Sequence, residues 1–257
     1  MNRIDKCFRD KKNILSIYFT AGYPALNDTN RVIRALDKHG ADMIEIGMPF
    51  SDPIADGPVI QQSSKRALEN GMSLQILFEQ LKNLRNLTDL PVILMGYLNP
   101  VYKMGMEKFL DNCVKCGIDG LILPDFPPEE YEETYIELFI SHDIHNIMLI
   151  TPQTSEERIR KIDSLSRGFI YMVSSYSTTG VQDGFGEPQY EYFKRISELR
   201  LKNPGLIGFG VSSPKTFSIA SKYASGAIVG TAFIKALSGD GAMDKKVGDF
   251  LRMLRNS

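Results

Sequence analysis

Short apolar runs, each followed by a turn and an amphipathic stretch, recur along the chain. The runs begin near Ile14, Asp42, Val92, Gly120, Asn146, Phe169, Leu206 and Ala227. Each is bounded by Gly, Pro or Asp and is rich in Ile, Val, Leu or aromatic residues, as strands buried on both faces are. Helical periodicity falls between them, for example over Asn30–Lys38, Leu74–Arg85, Glu129–Phe139, Ser155–Leu165, Tyr190–Leu201 and Pro214–Tyr223. Pro128-Glu129-Glu130 and Thr154-Ser155-Glu156-Glu157 read as helix starts, with acids at the positive end of the dipole. Eight strands alternating with helices over 257 residues predict an α/β fold, a closed (β/α)8 TIM barrel. Such a barrel needs about 250 residues as one unit, so residues 1–257 are expected to form one domain. A doubly wound sheet uses the same alternation, but it favours a glycine-rich fingerprint after the first strand. Thr20-Ala21-Gly22-Tyr23-Pro24 is not one. An additional N-terminal helix over Arg3–Asp10 is expected to cover the bottom of the barrel.

In a barrel of this kind the chemistry sits at the C-terminal ends of the strands. The second strand reads Ala41-Asp42-Met43-Ile44-Glu45-Ile46-Gly47. Its alternation puts Met43, Glu45 and Gly47 on one face, and Ile44 and Ile46 on the other. The outer face must meet apolar helices, so Glu45 points inward. No Lys or Arg occupies an obvious inward position in the other strands, and an unpaired buried carboxyl has a raised pKa suited to proton transfer near neutrality. The loop that follows, Ser51–Gln61, overhangs Glu45, and spacing alone leaves Asp52 and Asp56 open as a second carboxylate.

The loops after strands seven and eight often hold phosphate in such barrels. Here they read Gly208-Phe209-Gly210-Val211-Ser212-Ser213-Pro214 and Gly230-Thr231-Ala232-Phe233. Glycines let backbone N–H groups approach phosphate oxygens, and a helix start adds a favourable dipole. The polar segment after strand six, Ser174–Gly184, has the composition of a lid over substrate.

Charge is nearly balanced, at −1, with 43% apolar and 24% charged residues. That is a globular composition with no basic excess for nucleic acid and no charged tail. The opening stretch MNRIDKCFRDKKN lacks the apolar core of a signal peptide, and no apolar run approaches the ~18 residues of a membrane helix. Three cysteines make no disulfide framework, so a cytoplasmic setting is expected.

The stretch Glu45-Ile46-Gly47-Met48-Pro49-Phe50-Ser51-Asp52-Pro53-Ile54-Ala55-Asp56-Gly57-Pro58 resembles the signature of the tryptophan synthase alpha subunit family. Supporting matches are Phe19–Pro24, Gly96–Pro100, Leu123–Pro127 and Gly208–Ser213, so the resemblance spans essentially the whole chain. It implies a lyase that cleaves indole-3-glycerol phosphate by a retro-aldol reaction, giving indole and glyceraldehyde 3-phosphate, with Glu45 and Asp56 as the two catalytic acids. It also implies phosphate contacts from backbone around Gly180, Gly210, Gly230 and Thr231, and a substrate-facing Tyr171. Thr179 matches a threonine that meets the strand-two loop on closure. Apolar walls for the indole are expected from Tyr18, Ile60, Met95, Ile122 and Leu149. No metal or electron-sink cofactor is implied. The implied partner is a pyridoxal-phosphate beta subunit in an alpha2-beta2 heterotetramer, docked around Pro53 and around Asn99, Pro100 and Tyr102. The chain departs from the family where many members carry Gly-Val and Ser177-Thr178 stand here, which bears on closure.

Other signals point elsewhere. Cys113-Val114-Lys115-Cys116 sits late in a helical pattern with no second pair, so packing is its expected role rather than metal or redox chemistry. His39, His142 and His145 fall far from the strand ends. A Schiff-base aldolase wants a strand-end lysine, and Phe169–Ser175 contains none. A chain that has lost catalysis and serves only as an allosteric partner remains the rival of another class, against which the retention of Glu45 and Asp56 argues.

Overall fold

The computed structural model describes residues 1–53, 56–174 and 184–255. The strands are β1 (Ile14–Thr20), β2 (Met43–Gly47), β3 (Val92–Met95), β4 (Gly120–Ile122), β5 (His145–Ile150), β6 (Ile170–Val173), β7 (Gly205–Gly208) and β8 (Gly226–Val229). All neighbours pair in parallel, and β8 pairs back onto β1, closing the barrel. The first half of the chain contributes helices α1 (Arg3–Asp10), α2 (Thr29–His39), α3 (Pro58–Glu69), α4 (Leu74–Leu81), α5 (Leu98–Met104) and α6 (Met106–Cys116). The second half contributes α7 (Pro128–Glu130), α8 (Ile136–Ser141), α9 (Glu156–Leu165), α10 (Glu187–Glu198), α11 (Pro214–Tyr223), α12 (Thr231–Ser238) and α13 (Met243–Arg255).

The expected helices hold, with shifted ends whose causes are local. The pattern over Leu74–Arg85 stops at Leu81 and is followed by a 3-10 turn, Leu84–Asn86. That turn carries the Arg85 guanidinium to Asp119 and to the carbonyls of Gly117, Thr88 and Leu90. The pattern over Glu129–Phe139 begins at Pro128 and passes through a π turn, Tyr131–Tyr135. The helix expected over Tyr190–Leu201 lies instead at Glu187–Glu198. Gln189 Oε1 accepts from the Gly186 N–H and starts it early, and Arg200, at φ +47°, cannot continue it.

Register fixes which side chains fill the barrel. Tyr18 pairs with Glu45, Glu45 with Ile93, and Gly47 with Met95, so these residues share the inner face. Ile44 and Ile46 align with Ile17 and Phe19 on the outer face, where α-helices cover them. The predicted inward Glu45 is thus what the ladder produces.

At the bottom, α1 plugs the strand N-termini as expected. Asn2 caps that helix through Oδ1 and donates from Nδ2 to the carbonyls of Asp119 and Asp143. Ile4, fully buried, fills the space left by Gly120 and Gly168. His145 opens β5 beneath the barrel and pairs with Asp5 of α1 at 2.9 Å, while His39 and His142 pair with surface aspartates. Cys113 and Cys116 are both buried in the outer packing, and burial raises both thiols. Their reading as packing residues stands. Among the described residues, no helix is long and apolar enough to cross a membrane.

Candidate active site

The carboxyl of Glu45 is fully buried inside the barrel. It receives a hydrogen bond from Ser16 Oγ on β1 at 2.7 Å, and burial pushes its pKa up to about 8. None of the eight strands carries a lysine or arginine, so no cation inside the sheet offsets the desolvation.

Asp56 comes from the β2–α3 loop. Its N–H donates to Pro53 O at 3.1 Å, and Gln61 of α3 donates to its carbonyl at 2.8 Å, so backbone bonds hold the residue over the mouth. Tyr97, just after β3, donates its hydroxyl to Asp56 Oδ2 at 3.2 Å. Burial still dominates and lifts Asp56 to about 6. Asp52, by contrast, is exposed and takes a hydrogen bond from its neighbour Ser51. Between the two carboxylates that spacing left open, it is Asp56 that turns into the site.

Two adjoining cavities share Tyr18, Asp56 and Met95. One continues to Ile60, Tyr171, Phe209, Ile228, Gly230 and Thr231, and the other to Phe50, Pro53, Tyr97 and Pro124. Tyr18 and Tyr171 each lie within electrostatic reach of both Glu45 and Asp56. Their rings fit because of two inward glycines. A Cβ at Gly47 would lie 2.1 Å from the Tyr18 hydroxyl, and one at Gly208 would lie 2.3 Å from the Tyr171 hydroxyl. Of the expected indole walls, Tyr18, Ile60 and Met95 line the first cavity. Ile122 and Leu149 share the inner face of the sheet but line neither cavity.

The expected phosphate end lies across the first cavity. Gly230 sits beside the Tyr18 ring and opens α12, whose first N–H groups point out of the helix. Phe209 and Gly210 adopt φ of +64° and +74°, and Ser174 Oγ holds the turn by donating to Phe209 O at 2.7 Å. Gly210→Val places a branched side chain in left-handed backbone facing Phe185. We expect it to weaken binding of glycerol 3-phosphate, measured by calorimetric titration, by about tenfold or more, the scale of one lost hydrogen bond to a charged group. Unchanged affinity would remove Gly210 from the phosphate contacts. Thr179 and Gly180, and with them Ser177 and Thr178, lie outside the described residues.

Sequence reasoning missed Ser16, Tyr97 and the two space-making glycines. It also passed over Asp125, whose carboxylate accepts from the Leu98 N–H that starts α5 and so fixes the Tyr97–Pro100 corner. Asp125, Tyr97, Gly47 and Gly208 all fall within matching stretches, so a signal was present, but what each does is set by a neighbour on another element. Ser16 lies in none of those stretches, and its partner is on the next strand.

A fully buried carboxyl on β2, a second carboxyl at the barrel mouth, a helix start that opens on the same cavity as Asp56, and strands without lysine suit a barrel enzyme of acid–base rather than Schiff-base chemistry. Comparison with known proteins narrows the class. The family model described as "Tryptophan synthase alpha chain" matches residues 4–254. The alpha chain of Flavobacterium psychrophilum is 58% identical over 241 residues, which are 94% of this chain and 95% of the relative. That of Flavobacterium johnsoniae is 57% identical over 251 residues, 97% and 99% of the two chains. The alpha subunit structure from Legionella pneumophila superposes with a TM-score of 0.88 at 34% identity, over 99% and 97% of the chains. A tryptophan synthase complex from Pyrococcus furiosus gives 0.86 at 33% identity, over 95% and 98%. The chain belongs to the tryptophan synthase alpha chain family, and it is a lyase acting on indole-3-glycerol phosphate.

Proposed function

We propose that Glu45 and Asp56 divide the cleavage of indole-3-glycerol phosphate into proton transfer and charge stabilisation. The observation that carries this reading is the separation of their environments. Burial without a cation keeps Glu45 protonated near neutrality at about 8, while Asp56 at about 6 is ionised there.

Glu45 gives its proton to C3 of the indole, turning the ring into an indolenine with a positive nitrogen. The ionised Asp56 accepts the ring N–H and stabilises that charge. The Glu45 carboxylate then takes the proton of the side-chain hydroxyl next to C3. The C–O bond becomes a carbonyl, the carbon–carbon bond breaks, and its electrons return to the ring and neutralise the nitrogen. Indole and glyceraldehyde 3-phosphate leave, and Glu45 holds a proton again. Tyr18, Ile60 and Met95 support binding of the indole, with Tyr171 facing the substrate. Gly210, Gly230 and Thr231 support binding of the phosphate at the positive end of α12. The roles of Ile122, Leu149, Thr179 and Gly180 rest on the family resemblance.

The indole passes to a beta subunit, in an expected alpha2-beta2 assembly. The Pyrococcus furiosus relative is a tryptophan synthase complex. In this chain Pro53 lines the cavity with Asp56, while Asn99 and a 40%-exposed Tyr102 stand on α5 beside Pro100 at the same end of the barrel. Buried thiols and the absence, among the described residues, of a membrane-crossing helix suit a cytoplasmic setting. Indole release from indole-3-glycerol phosphate by the purified chain, with and without a cognate beta subunit, tests the whole reading. Release that rises when beta is added is expected. Folded protein that releases none under either condition would leave only a partner role.

A further inference from the structure

Glu45 is held asymmetrically. Oε1 lies 2.7 Å from Ser16 Oγ, and both residues are at 0% exposure. Oε2 is buried as well and has no hydrogen-bond partner. An unsatisfied buried acceptor is costly and rarely retained without use. The titratable groups within electrostatic reach of this carboxyl are Tyr18 of β1 and Tyr171 of β6, each of which also feels Asp56 of the β2–α3 loop. None is a cation, and among the described residues the Ser16 hydroxyl is the sole directional contact on the Glu45 carboxyl. Ser16 pairs with Met43, two residues before the Tyr18–Glu45 pair, so it grips the carboxyl from the deeper layer of the barrel.

We propose that Ser16 is a positioning residue for the lyase reaction. Its hydroxyl anchors Glu45 through Oε1, so that the unpartnered Oε2 is the oxygen presented to the indole carbon and to the substrate hydroxyl. The inference rests on Glu45 being the proton-transfer group. A serine hydroxyl suits that task because it rotates. It donates to the carboxylate when Glu45 has lost its proton, and it can accept from the acid when Glu45 has regained it. A lysine or arginine at the same position would lock the ionised form. An alanine would leave both oxygens unsatisfied and the carboxyl free to turn. Because the hydroxyl favours the ionised form, it also sets the upper pH limit of activity by opposing the desolvation of Glu45.

The test is steady-state kinetics of indole release across pH for Ser16→Ala and Ser16→Thr. Ser16→Ala is expected to lower kcat by about tenfold with KM nearly unchanged, the effect of a misaligned rather than absent acid. It also moves the alkaline limb of the kcat profile upward, because the group that favoured the carboxylate is gone. Ser16→Thr keeps the hydroxyl and returns the limb towards its original position. A role confined to packing alters thermal stability but leaves the limb in place. If the alanine variant fails to fold, Ser16→Cys, close in size but a weak donor, should show the same upward shift. A folded Ser16→Ala or Ser16→Cys enzyme with unchanged kcat and limb overturns the proposal. Near-normal turnover by Glu45→Gln would instead overturn the assignment of Glu45 itself. An inactive Glu45→Gln beside a normal Ser16→Ala enzyme therefore removes only the serine.

Discussion

Replacing Glu45 with glutamine lowers the rate of indole release by about a thousandfold or more, the scale of a lost general acid–base group. The substitution is nearly isosteric, and the amide oxygen can still accept from Ser16, so the side chain keeps its packing and the bond from Ser16. It also removes a carboxyl whose ionised form is penalised by full burial. The melting temperature should therefore hold or rise, and affinity for glycerol 3-phosphate should be unchanged. Stopped assays of indole, together with thermal melts and ligand titration, separate these effects. Turnover within about tenfold of the parent enzyme would exclude Glu45 as the proton carrier.

The second large effect belongs to Asp56. The parent enzyme should show a bell-shaped pH dependence of kcat/KM, the quantity that follows the free chain's groups. Activity falls as pH drops through about 6, where Asp56 takes up a proton, and falls again as pH rises through about 8, where Glu45 loses one. Asp56→Asn lowers kcat about a hundredfold, since a neutral amide no longer stabilises the positive ring nitrogen. The diagnostic result is the shape of the curve. The acid limb should vanish in the variant, while the alkaline limb, which belongs to Glu45, stays. An acid limb that survives the substitution would move its origin to another group, with the phosphate of the substrate the first to examine.

How much of the fold and the site is legible in the sequence depends on how local the determining physics is. The eight strands are legible because burial on both faces leaves a short apolar run, and Glu45 stands out as the charged residue inside one of them. Its inward direction follows from period-two alternation and is matched by the pairing of Glu45 with Tyr18 and Ile93. Asp52 and Asp56 cannot be separated by spacing, because the difference between them is which one the Tyr97 hydroxyl and the Gln61 side-chain amide of α3 hold over the barrel mouth. Gly47 and Gly208 read as ordinary strand glycines. Their function appears only when Tyr18 and Tyr171 of adjacent strands are seen to occupy the missing Cβ positions. Ser16 is the same kind of case, a small polar residue in an apolar run whose partner lies on the next strand. Helix ends are displaced for similarly non-local reasons, as when Arg85 leaves its helix to serve Asp119. Alternation reports which face a residue takes, whereas register and the ring closure of the sheet decide whom it meets.

Closure of the sheet between residues 14–17 and 226–229 has a consequence for biosynthesis of the polypeptide. Translation delivers β1 and β2 ahead of the other strands, so Ser16, Tyr18 and Glu45, the proposed proton-handling end, emerge early. Gly230 and the start of α12, proposed to hold the phosphate, emerge last among the site residues. Arg255, in α13, then reaches back to the Gly40 carbonyl and to Asp42 beside the start of β2. Such distant pairings form late, because a long loop must close before they stabilise anything. A nascent chain halted before β8 thus carries the acid without the seam or the anion pocket. Catalysis is expected to wait until β8 and α12 have left the ribosome, and a truncated product bearing the intact Glu45–Pro58 stretch is expected to be inert.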